Sequence, residues 1–123
     1  MADPNLLSIT TVKGKSVGIT PSNTNATVLL ANAASSGKSL KINMIIASSS
    51  TSGTVTATVA YNTAAAGSGT STPLITAGEI PASASLIVAD KQTSFYLEED
   101  TSIVVTSGSA NDVSFFVSYE EIS

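Results

Sequence analysis

The sequence predicts an all-β fold: a single antiparallel β-sandwich, immunoglobulin-like or jelly-roll, with about eight or nine short strands. Three observations lead there. Apolar and polar residues alternate with period two in run after run, which puts one side of each run in a core and the other in water. Turn-forming clusters at 20–25, 48–53, 81–83 and 107–112 interrupt the alternation at roughly eight-to-twelve-residue spacing. No stretch of useful length has the 3.6-residue period of a helix. A chain of 123 residues is one domain by length, and at this size about two-thirds of the unfolded surface can be buried.

The first 20 residues mix apolar and polar side chains without a clean dry face. They read either as the first strand of the sandwich or as an arm that adds to the edge of a neighbour's sheet. Leu6, Leu7, Ile9 and Val12 are the candidate contact residues there. The chain thus divides into an N-terminal arm or first strand, 1–20, and a sandwich domain, 21–123. The strand-like T-V-L-L-A from Thr27 then runs into N-A-A-S-S-G-K-S, which fits the phosphate-loop pattern G-x-x-x-x-G-K-[ST] except that Asn32 replaces the first glycine. A phosphate loop needs a helix to begin at its Lys-Ser, because the helix N-terminus and the loop amides hold the anion together. Here alternation begins instead. Leu40, Ile42, Met44 and Ile46 are expected on the core face, with Lys41, Asn43 and Ala47 opposite and Ile45 as the exception. A strand therefore follows, and residues 33–38 read as a hairpin loop with no nucleotide site.

Further on, Val55, Ala57, Val59 and Tyr61 alternate with Thr54, Thr56 and Thr58, good strand formers for a wet face. Residues 62–73 are small and uncharged and read as a crossover between sheets rather than a contact loop. Leu86/Val88 and Phe95/Leu97 resume the core pattern, which leaves Tyr96 as the outward aromatic and a candidate contact residue. Glu98-Glu99-Asp100 reads as a charged turn. Glu98 and Asp100 are only weak candidates for calcium, which wants more oxygens than one turn supplies, and no metal site is expected. Ile103/Val105 and Val113/Phe115/Val117/Tyr119 complete the core, with Tyr61 and Tyr119 packed inside rather than stacked on a ligand.

Composition removes whole classes of function. Serine and threonine supply 37 residues while charged residues make up only 11%, so the polar surface is hydroxyl rather than ionic. There is no Arg, His, Cys or Trp. The usual zinc sites, a thiol nucleophile, a Ser-His-Asp relay and a disulfide framework are therefore missing. Adjacent carboxylates on one extended turn point to opposite sides and do not make the paired acids of a glycosidase, so no enzyme activity and no cofactor are expected. Five lysines and a net charge of −4 give no footprint for nucleic acid. The N-terminus lacks the basic and apolar regions of a secretory signal and no apolar run approaches a membrane span, so a cytoplasmic product without membrane partners is expected. The sequon at Asn25 is then unused.

The C-terminal third carries a resemblance. E-I-P from Glu79, L-I-V from Leu86, Y-L-E-E-D-T-S-I-V-V-T-S from Tyr96 and V-S-Y-E-E-I from Val117 resemble small β-sandwich virion proteins of tailed phages, notably those infecting marine cyanobacteria. The likeness covers residues 79–122, is weaker across 26–61 and leaves out the first 20. It brings no catalytic motif with it. It implies a structural protein of the virion, assembled in the host cytoplasm. The first role implied is a decoration protein on the outer capsid surface, contacting the major capsid protein, other virion subunits and further copies of itself. A fibre-type or adhesive module at the neck, tail or baseplate is the alternative. A hydroxyl-rich surface with few ions to screen would make contacts that depend little on salt, which suits a particle in seawater.

Overall fold

The computed structural model describes residues 8–123. It contains nine strands: β1 (Val12–Ile19), β2 (Thr27–Asn32), β3 (Ser39–Ser49), β4 (Val55–Asn62), β5 (Ser71–Ile80), β6 (Ser85–Ala89), β7 (Phe95–Leu97), β8 (Thr101–Ser107) and β9 (Val113–Ile122). The only helical piece among the described residues is a 3-10 turn, Lys91–Thr93, capped by Asp90.

All pairings are antiparallel and form two sheets. Sheet I has the order β1-β9-β3-β6, with β7 pairing the other half of β3, and sheet II has the order β2-β8-β4-β5. The 3-10 turn merely interrupts the edge that β6 and β7 share. With those two counted as one strand, the chain pairs first with last, second with next-to-last, and so on inward to the β4–β5 hairpin. That order is the jelly roll, one of the two architectures the alternation allowed.

The core lies between the sheets. Ile42, Ile45, Val59, Ile103, Val105, Val113, Phe115 and Val117 are fully buried in it, and Tyr61 and Tyr119 pack against it from the rim. The expected faces of β4, β8 and β9 are those observed. In β3 the expectation fails after Ile42. A bulge between Ile42 and Met44 shifts the register against β9, and one inserted residue reverses the parity of all that follow. Ile45 and Ala47 are therefore inside, while Met44 and Ile46 turn to the outer face.

Two connections also differ from expectation. Residues 33–38 join β2 of sheet II to β3 of sheet I, so they form an arch between sheets and not a hairpin. Residues 63–70 join β4 to β5, which pair with each other, so this loop is a hairpin and not a crossover. Strand β5 itself has no readable alternation: it is an edge strand containing Pro73, and its register against β4 slips twice. At the opposite end of the roll the loops are tied by backbone hydrogen bonds, Ser50 N to Asp112 O (3.0 Å), Ser83 N to Thr51 O (3.2 Å) and Asn111 N to Pro21 O (2.9 Å).

Phe115 is fully buried while its neighbour Phe116 is 41% exposed on the outer face. Phe115→Ala should cost about 3–5 kcal/mol through lost transfer energy and an unfilled cavity, and Phe116→Ala less than about 1 kcal/mol. Denaturant titration of the two variants checks the assignment of faces.

Candidate functional site

The stretch that mimics a phosphate loop is filled by the protein's own groups. Asn32, buried at the end of β2, donates from Nδ2 to Lys38 O (2.8 Å) and Leu97 O (3.0 Å), and its Oδ1 accepts from the Ser36 hydroxyl. The Glu99 carboxylate accepts from Gly37 N–H, a position a phosphate oxygen would need. Lys38 Nζ lies 3.2 Å from Glu121 Oε1. The asparagine that breaks the pattern is thus the residue that organises the arch.

Asn62 at the end of β4 does the same for the 63–70 loop. Its Nδ2 donates to Gly67 O (3.2 Å), Gly69 O (3.2 Å) and Ser71 Oγ (2.8 Å), and its Oδ1 accepts from Ala64 N and Gly69 N (2.9 Å each). Ser102 Oγ donates to Ala64 O at 2.7 Å, and Ala65 N donates to Asp100 Oδ1 at 3.1 Å. Gly67, at φ 78°, passes so close to Val28 and Val104 that a side chain there would stand 3.1–3.2 Å from their methyl groups. The loop is folded back as a lid over the outer face of sheet II, which is why Val104 is buried although it points away from the core.

These contacts account for one of the two weak metal candidates. Asp100 caps the lid with its carboxylate, and Glu98 is exposed on the turn. Among the described residues no group of three potential ligands converges.

The outer face of sheet I is built differently. Register places Gly18, Phe116, Ile46 and Ile87 side by side across its four strands. Four residues along β1 and β9, and five along the bulged β3, Gly14, Glu120, Lys41 and Tyr96 form a parallel row. Ile87 is 64% exposed, Val12 52%, Tyr96 43% and Phe116 41%. Four of the five exposed large apolar side chains of the described residues therefore stand on this face; the fifth, Leu74, lies on β5. Beside the apolar row, the β3 bulge and the 3-10 turn frame a shallow groove of about 610 Å³ lined by Asn43, Met44, Lys91 and Ser118. Of the expected contact residues, Tyr96 and Val12 lie on this face, Val12 within β1 and opposite Ile122. Ile9 is half-buried just before it. Leu6 and Leu7 lie outside the described residues. Gly14, Gly18, Ile87 and Phe116 were invisible as a set until the register joined them.

At the rim, Lys15 Nζ donates to Glu121 Oε2 at 2.9 Å, and the Glu121 side chain is 14% exposed. The hydrogen bond from Lys15 holds the Glu121 carboxyl below the ordinary carboxylate range, with burial opposing it and Lys38 assisting. The same bond raises the Lys15 ammonium. A lowered carboxyl stabilises the fold above its unfolded value of about 4.3 and ceases to as pH falls through its folded value; a raised ammonium does so below about 10.4 and ceases to at higher pH.

Asn62→Ala should cost on the order of 2–3 kcal/mol by stranding buried backbone groups, and hydrogen exchange at the Ala64 and Gly69 amides should accelerate. Glu121→Gln should lower thermal stability at neutral pH, and its difference from the native chain should shrink as the pH falls below about 4, read from melts across a pH series.

No protein-family model matches the chain, and no curated protein sequence does. Among solved structures, the chain is similar to a subunit described under "Bacillus endospore appendages form a novel family of disulfide-linked pili", with 12% sequence identity, a TM-score of 0.52, and coverage of 90% of this chain and 85% of that one. At that identity the likeness is one of fold: a two-sheet antiparallel β-sandwich that spans nearly all of both chains.

Proposed function

We propose that the chain is a non-catalytic structural subunit of a tailed-phage virion, acting first as a decoration protein on the outer capsid surface. The observation that carries this reading is where the polar chemistry goes. The buried amides and the Glu99 and Asp100 carboxylates are used to tie loops at one end of the roll, and the opposite end is laced by backbone hydrogen bonds. What is left to act on a partner is an outer sheet face of hydroxyls, a few charges and exposed apolar residues, the kind of surface by which a subunit packs in an assembly. The resemblance of residues 79–122 to phage virion proteins and the use of jelly rolls in capsid domains support it.

A fibre-type module at the neck, tail or baseplate is the second reading. The likeness to a subunit of an endospore appendage favours it. Disulfide linkage, the chemistry named for that appendage, has no counterpart here because the chain has no cysteine.

Copy number separates the two. Quantitative mass spectrometry of purified particles should find the chain in hundreds of copies, on the scale of the major capsid protein. A dozen copies or fewer would exclude decoration and favour the appendage reading, and its absence from the particles would overturn both.

A further inference from the structure

The two outer faces of the sandwich are not equivalent. On sheet II, Val28 and Val104 lie under the protein's own lid and Leu74 is the one exposed large apolar residue, whereas four such residues stand open on sheet I. The uncovered face has an internal symmetry that becomes visible on rotation about an axis parallel to the strands and midway between β9 and β3. That operation lays β9 of one copy over β3 of the other and β1 over the β6/β7 edge. In the apolar row, Phe116 then meets Ile46, and the exposed Ile87 meets Gly18. In the second row, Glu120 meets Lys41 and Tyr96 meets Gly14. Each contact occurs twice. Bulky side chains on one edge of the face thus meet glycines on the other, and each charge meets its opposite.

Independent observations support the match. Lys41 is a register neighbour of Glu120, yet the ion pairs among the described residues are those of Lys15 and Lys38 with Glu121, so Lys41 has no ion-pair partner among them. A side chain at Gly14 would meet nothing within 4 Å, leaving an open shelf that an aromatic ring can occupy. A self-complementary patch is what an isologous dimer requires, and aligned face-to-face packing of two sheets at about 10 Å is a standard arrangement.

We propose that the chain self-associates as a two-fold dimer through the outer face of sheet I, with Glu120–Lys41 pairs and Tyr96-over-Gly14 contacts setting the register. Four strands at about 4.8 Å by eight residues at about 3.3 Å give a face of roughly 500 Å². That is below the roughly 800 Å² per partner of a standard interface, so association of the isolated chain should fall in the micromolar range. The inference rests on the face alone and stands whether or not the chain is a virion component.

The test is sedimentation velocity of the full chain from about 1 to 200 μM, a range that brackets micromolar dissociation constants. The native chain should dimerise as concentration rises. Lys41→Glu and Glu120→Lys should each weaken association at least tenfold alone, because like charges then face each other twice. An equimolar mixture of the two folded variants should recover it, since every facing pair is again opposite in sign. Gly14→Leu, which fills the shelf without a clash in the monomer, should also weaken association while leaving circular dichroism unchanged. A chain that stays monomeric throughout, or a dimer indifferent to both Lys41→Glu and Gly14→Leu, overturns the proposal. So does a mixture of the two folded charge variants that fails to associate.

Discussion

The constraint on which most of this structure depends is the burial of two primary amides at the open end of sheet II. Asn32 and Asn62 end β2 and β4, the strands on either side of β8, and their register partners are Thr101 and Ser102 at its start. A buried amide without partners costs on the order of 1–3 kcal/mol for each group left unsatisfied, so the flanking chain must come to them. The 33–38 arch wraps around Asn32 and the 63–70 hairpin around Asn62. In turn the hairpin closes over Val28 and Val104, and Asp100 and Glu99 are drawn into hydrogen bonds with the two loops. Loops of alanine, glycine and serine have little apolar surface with which to order themselves. Here side chains at the strand ends supply the order.

The same arrangement decides which surface remains for partners. Sheet II covers its outward valines from within its own chain, and much of the rest of its outer face is threonine. None of the described loops covers sheet I in this way. The bulge that turns Ile45 into the core turns Ile46 out of it, completing a row with Phe116 and Ile87. One inserted residue in β3 therefore both fills the core and builds the exposed stripe.

Much of this was legible in the sequence where strands are regular. In β4, β8 and β9 strict alternation identified the buried face, down to Tyr96 pointing out of β7. It misled in β3 because period two cannot survive a bulge, and no residue type near Ile42 announces one. Strand β5 was unreadable because an edge strand with little buried surface has no reason to alternate. The arch and the hairpin exchanged roles because the pairing of distant strands decides whether a loop crosses between sheets, and local composition does not carry that information. At the arch, the alternation after Ser39 was enough to place a strand where a phosphate loop needs a helix, but the work of Asn32 showed only when Leu97 and Lys38 were brought to it. The row of Gly14, Glu120, Lys41 and Tyr96 joins residues from four separate strands, and nothing in their order along the chain relates them.

Sheet I has both an edge and a face that could meet another chain, and they are built to opposite ends. Strand β1 is the edge strand of sheet I among the described residues, and an edge strand ordinarily invites strand addition. Its inward positions, however, hold Lys13 and Lys15 before Val17 and Ile19 take over the core contacts. Inward-pointing charge is one of the devices that keep an edge from pairing, and Lys15 is fixed there by Glu121. A strand arriving at this edge would have to extend the core past a held ammonium. The outward positions of the same strand after Val12 are Gly14, Ser16 and Gly18, which weaken it as a strand but leave the face beside Phe116 low and flat. Glycine in a strand sacrifices packing and entropy, and Phe116 leaning against Gly18 recovers only part of that loss. Charge on the inner side and glycine on the outer side thus act together: the first discourages growth along the sheet, and the second leaves room for a partner against it.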